Sequence, residues 1–111
     1  MSERAWRLYV GDMLQFAQRV MTYTDGMDQD RFVASALTYD ATLRNLELIG
    51  EAASKVPIDV QASMPQIPWR QIIATRNRVI HGYLGLDNDT LWSIIQTDVP
   101  ALIVELEKLT L

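Results

Sequence analysis

Apolar side chains in this chain recur three and four residues apart, and no stretch alternates with period two for long enough to form a convincing strand. That pattern restricts the fold to packed helices. Spacings of three and four gather side chains on one face of a helix, whereas a half-buried strand needs alternation. The first segment, residues 3–23, places Trp6, Val10, Met13, Ala17 and Val20 on one stripe, widened by Tyr9 and Phe16. "TDGMDQD" then breaks the pattern: Gly26 relaxes a turn, and Asp28 or Asp30 can accept from the first amides of the next helix. The next helix is expected over residues 29–55, with Phe32, Ala36, Tyr39, Leu43, Leu46, Gly50 and Ala53 along one face. At ~1.5 Å per residue it is ~40 Å long. Gly50 in its interior costs about 1 kcal/mol relative to Ala, which points to a close crossing by another helix.

Prolines 57, 65 and 68 mark a connector that holds at most one short helix, between residues 58 and 63. Pro68 suits the first turn of a further helix, where its missing N–H costs nothing. That helix carries Trp69, Ile72, Ile73, Arg76, Val79 and Ile80, and Gly82 is a natural stop. "LDNDT" opens the last helix with Asp87 or Asn88 as cap, followed by Leu91, Ile95, Val99, Leu102, Leu106 and Leu109; Pro100 should kink or divide it. The expected architecture is therefore all-α, an up-and-down bundle of four main helices plus a short fifth. With 111 residues, the chain (1–111) has the length for a single domain around one modest core.

Composition removes several kinds of chemistry. With no cysteine and one histidine, a disulfide framework and a protein-built zinc site are not expected, and the scattered carboxylates form no metal-ligand cluster. No metal and no cofactor is called for. The opening "MSERAWR" is charged and runs straight into the amphipathic pattern, unlike a secretory leader. The aliphatic run "ALIV" is far short of a membrane span. No membrane partner is therefore expected, and a cytoplasmic location is. A net charge of −4 disfavours indiscriminate binding to nucleic acid, so any such contact has to come from a local basic patch.

One position conflicts with the helical pattern. In "RNRVIHGYLG", residues 76–85, Arg76 falls in the middle of an otherwise apolar stripe. Arginine is almost never buried without a partner, because stripping its charge of water is expensive. It must face a carboxylate such as Glu51 or Glu47, a subunit interface, or a cleft that holds an anion; its planar fork suits phosphate. His81, the chain's sole histidine, lies five residues on, about 140° around the helix. Its helical neighbours are Asn77 and Arg78. A lone histidine beside a glycine stop can equally be a polar helix-end residue. Taken together, an arginine to hold phosphate and a histidine to move protons suffice for metal-independent RNA cleavage by the 2′-OH on its own phosphate. That reaction needs one base and one acid, which two copies of the chain across a two-fold axis would supply. A two-fold pairing would also gather Arg70, Arg76 and Arg78 into a basic groove.

"RNRVIHGY" resembles the Arg–x4–His–x–Tyr signature of the HepT-type toxins of the HEPN superfamily. "LRNLELIGEAA" at 43–53 is similar to the family's second-helix segment, and "IPWRQIIATRNRVIHGYLGLDNDTLWSIIQTDVPAL" to its following stretch. The resemblance runs over residues 5 to 109, with no departure at the motif positions. It implies a helical homodimer with a composite active site at the interface and metal-independent cleavage of RNA, tRNA being a target for some members. Arg76 and His81 would be catalytic, with Asn77 and Arg78 in support. It further implies a partner, a small nucleotidyltransferase antitoxin of the MNT type, which transfers AMP to the motif tyrosine, here Tyr83. The added phosphate would bring negative charge and bulk into the groove and repel an RNA backbone. Two other readings stand beside this one. The chain could be a helical binding partner of a nucleotidyltransferase that cuts nothing, or a structural dimer in which Arg76 is only an ion pair.

Overall fold

The computed structural model describes residues 2–82 and 85–110. They form α1 (Glu3–Thr24), α2 (Gln29–Ala34), α3 (Ala36–Ser54), α4 (Ile58–Ser63), α5 (Trp69–Ile80), α6 (Asn88–Ser93) and α7 (Val99–Thr110). A π-helical turn, Ile94–Asp98, joins α6 to α7 in one continuous rod. The described residues contain no strand, and the fold is all-α, as the spacing requires. α1 packs against α3 and α7, and α3 also packs against α5. The core lies among Val10, Met13, Ala17 and Val20 of α1, Leu46, Ile49 and Ala53 of α3, and Leu91, Ile95, Val99, Leu102 and Leu106 of the last rod. Each Val, Leu, Ile or Met among them contributes roughly 1.5–3 kcal/mol through burial. No helix among the described residues is long and apolar enough to cross a membrane.

The helix ends follow local chemistry. The Ser2 hydroxyl accepts from the Ala5 N–H (3.2 Å), and Glu3 puts negative charge in the first turn of α1. After α1 the chain turns at Gly26, whose φ of 75° is open to glycine at little cost. Asp28 accepts from the Arg31 N–H at 2.8 Å and starts α2.

The helix expected over 29–55 is two helices, not one. Ser35 ends α2 and begins α3. Its N–H donates to the carbonyls of Arg31 and Phe32, while its side chain accepts from the Thr38 N–H at 3.4 Å. A serine hydroxyl offers the backbone this alternative to a continuing helix. The break lets Phe32, fully buried, lie between Tyr39 and Trp92, with ring centroids 5.2 and 5.4 Å away. Tyr39 donates to Asn88 Oδ1 (2.8 Å) and Gln29 Nε2 to Asp89 Oδ1 (2.6 Å), tying this corner to the start of α6.

Pro100 acts through the turn before it. A proline has no N–H to offer four residues back, and its ring crowds that carbonyl. The chain answers by widening: the Val99 N–H donates to the Ile94 carbonyl, five residues back. α5 is only partly covered. Trp69 is buried and its indole N–H donates to the Met64 carbonyl at 3.1 Å, but Ile72, Ile73 and Val79 are only half-buried and Ile80 is 41% exposed.

Candidate active site

Gly50 and Arg76 meet where α3 crosses α5. A Cβ on Gly50 would lie 2.9 Å from Arg76 Cγ, closer still to Arg76 Cβ, and 3.2 Å from the Ile72 carbonyl oxygen. The glycine that the pattern assigned to a close helix crossing thus seats the very arginine that interrupts the apolar stripe. No signal in the sequence joined the two, beyond each being out of place on its own stripe. With its stem lying on a glycine, the Arg76 side chain stays 31% exposed and its Nε is buried without a hydrogen-bond partner among the described residues. Nη1 donates to Asn77 Oδ1 at 3.2 Å.

Of the two carboxylates that could serve Arg76, Glu47 pairs with Arg44, whereas Glu51 Oε1 stands 3.9 Å from Arg76 Nη2. Both partners of that pair are about one-third exposed, so water screens it and it adds little to stability. The guanidinium keeps donors unused. It is held at its stem by packing and only loosely at its tip, by Asn77 and Glu51.

His81 is the residue at which α5 stops. Its N–H donates to the Asn77 carbonyl (2.9 Å), its backbone turns to φ −102° and ψ 75°, and its imidazole is exposed. Asn77 therefore touches both ends of the motif, through its side chain to Arg76 and through its carbonyl to His81. Arg78 faces another way: Nε and Nη2 both donate to the Gly85 carbonyl, at 3.2 and 2.6 Å. Arg70 is exposed in the first turn of α5. Tyr83, to which the resemblance gives the modification, lies outside the described residues. Among the described residues no three His, Cys, Asp or Glu side chains gather into a group able to hold a metal ion.

Comparison with known proteins shows the family of the chain. The model of the family described as Ribonuclease HepT-like matches residues 13–109. The chain belongs to this family. Its relatives include the Methanocaldococcus jannaschii protein named "Putative RNase MJ1380", 35% identical over 96% of this chain and 98% of the relative. Another is the Thermococcus cleftensis protein named "Probable ribonuclease HepT", 33% identical over 96% of this chain and 97% of the relative. No solved structure gives a significant match. The HepT-like match spans the whole crossing of α3 and α5, so Gly50, Glu51, Arg76, Asn77, Arg78 and His81 all lie inside it.

Proposed function

We propose that this HepT-like chain is the ribonuclease toxin of a toxin–antitoxin pair. Two copies of it form one composite site, in which Arg76 holds the scissile phosphate and His81 transfers protons. The observation that carries this reading is the seating of Arg76 over Gly50, on the side of α5 left half-covered by its own bundle. Half-buried Ile73 and Val79 and the exposed Ile80 supply apolar surface there for a second copy.

The reaction is written with the groups of two such sites. One imidazole takes the proton of the ribose 2′-OH as its oxygen bonds to phosphorus. The bond from phosphorus to the 5′-oxygen breaks, and the partner copy's imidazolium returns a proton to that oxygen. Arg76 donates to the non-bridging oxygens, whose negative charge grows in the transition state. These steps leave no role that only a metal could fill. The antitoxin, an MNT-type nucleotidyltransferase, would end activity by joining AMP to the Tyr83 oxygen with loss of pyrophosphate from ATP. The new phosphodiester would add a negative charge, which repels an RNA backbone.

The test is cleavage of total RNA and of tRNA in EDTA by the wild type, His81→Ala and Arg76→Ala, each checked for folding and dimerisation. Loss of cleavage in both folded variants is expected. Full cleavage by His81→Ala refutes its role. The ion pair with Glu51 favours a second reading, in which Arg76 is structural. Arg76→Met separates the two. A structural arginine replaced by methionine leaves cleavage intact, whereas a phosphate clamp loses it without loss of stability.

A further inference from the structure

We propose that Arg70 is a second contact for the RNA backbone, holding a phosphate that flanks the one on Arg76. This rests on the reading of Arg76 as the phosphate clamp and deepens it. All fourteen carboxylates of the chain lie outside residues 60–86, whereas Arg70, Arg76 and Arg78 lie inside that run. Outside it, fourteen acids stand against seven bases. A polyanion is therefore repelled by most of the molecule and admitted along α5.

Two helix positions seven residues apart lie within about 20° of each other around the axis and ~10 Å apart along it. Arg70 and Asn77 of α5 are such a pair. Arg76 belongs to another stripe, but its tip is turned toward this one, because Nη1 donates to Asn77 Oδ1 at 3.2 Å. Between Arg70 and Asn77 on the same face stands Ala74, exposed and too small to obstruct a strand. Arg70 is itself exposed, and no ion pair or hydrogen bond joins its guanidinium to a described residue. Of the carboxylates that packing brings to α5, Glu51 faces Arg76 and Asp98 accepts from Gln71 Nε2 at 3.2 Å; neither pairs with Arg70. One face of α5 thus carries an uncommitted arginine fork, a small residue and the tip of the clamp in line. A strand that sets its scissile phosphate on Arg76 and follows this acid-free face passes Arg70, whose fork suits a phosphate.

The experiment uses the full-length chain with Arg70→Gln, Arg70→Lys and, as a control for net charge alone, Arg31→Gln in α2. It reads binding of a 2′-O-methyl RNA oligonucleotide, which cannot be cut through its 2′-oxygen, over a series of salt concentrations. Beside this it reads kcat and KM on the cleavable RNA, and the oligomeric state by sedimentation. Arg70→Gln is expected to raise Kd and KM about tenfold, to make the salt slope shallower by about 0.7, and to leave kcat and the oligomer unchanged. Arg70→Lys should keep the wild-type slope, since the charge remains, and so should Arg31→Gln. Wild-type Kd and slope in Arg70→Gln, or a loss no larger than that of Arg31→Gln, would overturn the proposal. So would a weakened dimer with unchanged RNA binding, which would give Arg70 to the second copy instead. If the wild type binds RNA without cutting it, it is the catalytic reading that fails, and the salt slope still decides the role of Arg70.

Discussion

Two glycines inside helices should respond to alanine with opposite signs. Gly11 lies within α1 and Gly50 within α3, and helix propensity alone predicts that either gains about 1 kcal/mol from Gly→Ala. At Gly11 a new Cβ meets nothing within 4 Å, so the gain should be realised in full. At Gly50 it would meet Arg76 Cγ at 2.9 Å, Arg76 Cβ closer still, and the Ile72 carbonyl oxygen at 3.2 Å. None of these is the free end of a flexible side chain, so α5 must shift as a body. Overpacking of that kind costs ~1–3 kcal/mol. Set against the propensity gain, Gly50→Ala should be destabilised by up to about 2 kcal/mol. At 4–8 °C per kcal/mol for a domain near this size, that lowers Tm by up to roughly 15 °C. Urea and thermal unfolding followed by circular dichroism measure both variants. Cleavage by Gly50→Ala should fall further than its folded fraction, because the shift carries Arg76 with it. A Gly50→Ala protein as stable as Gly11→Ala, or more stable than wild type, would refute the crossing.

Two further substitutions test the packing and the caps. Thr42 is fully buried with its Oγ1 unpartnered among the described residues, so Thr42→Val should raise stability by about 1 kcal/mol in urea unfolding; a loss would mean that a bridging water satisfies the hydroxyl. Asp87 is held below its ordinary value of 3.8, first by the Thr90 N–H and then by the Thr90 hydroxyl. A depressed carboxylate stabilises the fold above its ordinary value and ceases to do so as pH falls through the lower, folded one. Thermal melts from neutrality to acid should therefore show Asp87→Asn, which can still cap, losing less stability than wild type below about pH 4; parallel acid limbs would exclude Asp87 as a contributor.

What could be read from the sequence was whatever depends on spacing alone. The stripe of α1, the short α4, the proline-led start of α5 and the aspartate caps all follow from period and local hydrogen bonding, and the structure has them. The break at Ser35 was hidden because the apolar stripe runs through it without interruption; the burial of Phe32 against Trp92, a contact across sixty residues, decides it. Pro100 announced a disturbance, but whether a kink or a π turn results depends on how the rod packs on α1. At the candidate site, the misplaced arginine and the interior glycine were each visible. That one seats the other is a fact of how α3 crosses α5, which periodicity does not encode. The Arg78–Gly85 hydrogen bonds were equally invisible, since periodicity does not tell which of the five glycines takes a left-handed φ.

Cleavage by the ribose's own 2′-OH is reported most directly by the chemistry of the product ends. Purified wild-type protein should be incubated with a defined RNA in EDTA and the fragments analysed by mass spectrometry. A 2′,3′-cyclic phosphate on one fragment and a free 5′-hydroxyl on the other, both absent with His81→Ala, is the predicted result. Fragments ending in a 3′-hydroxyl and a 5′-phosphate, or cleavage that EDTA abolishes, would contradict it.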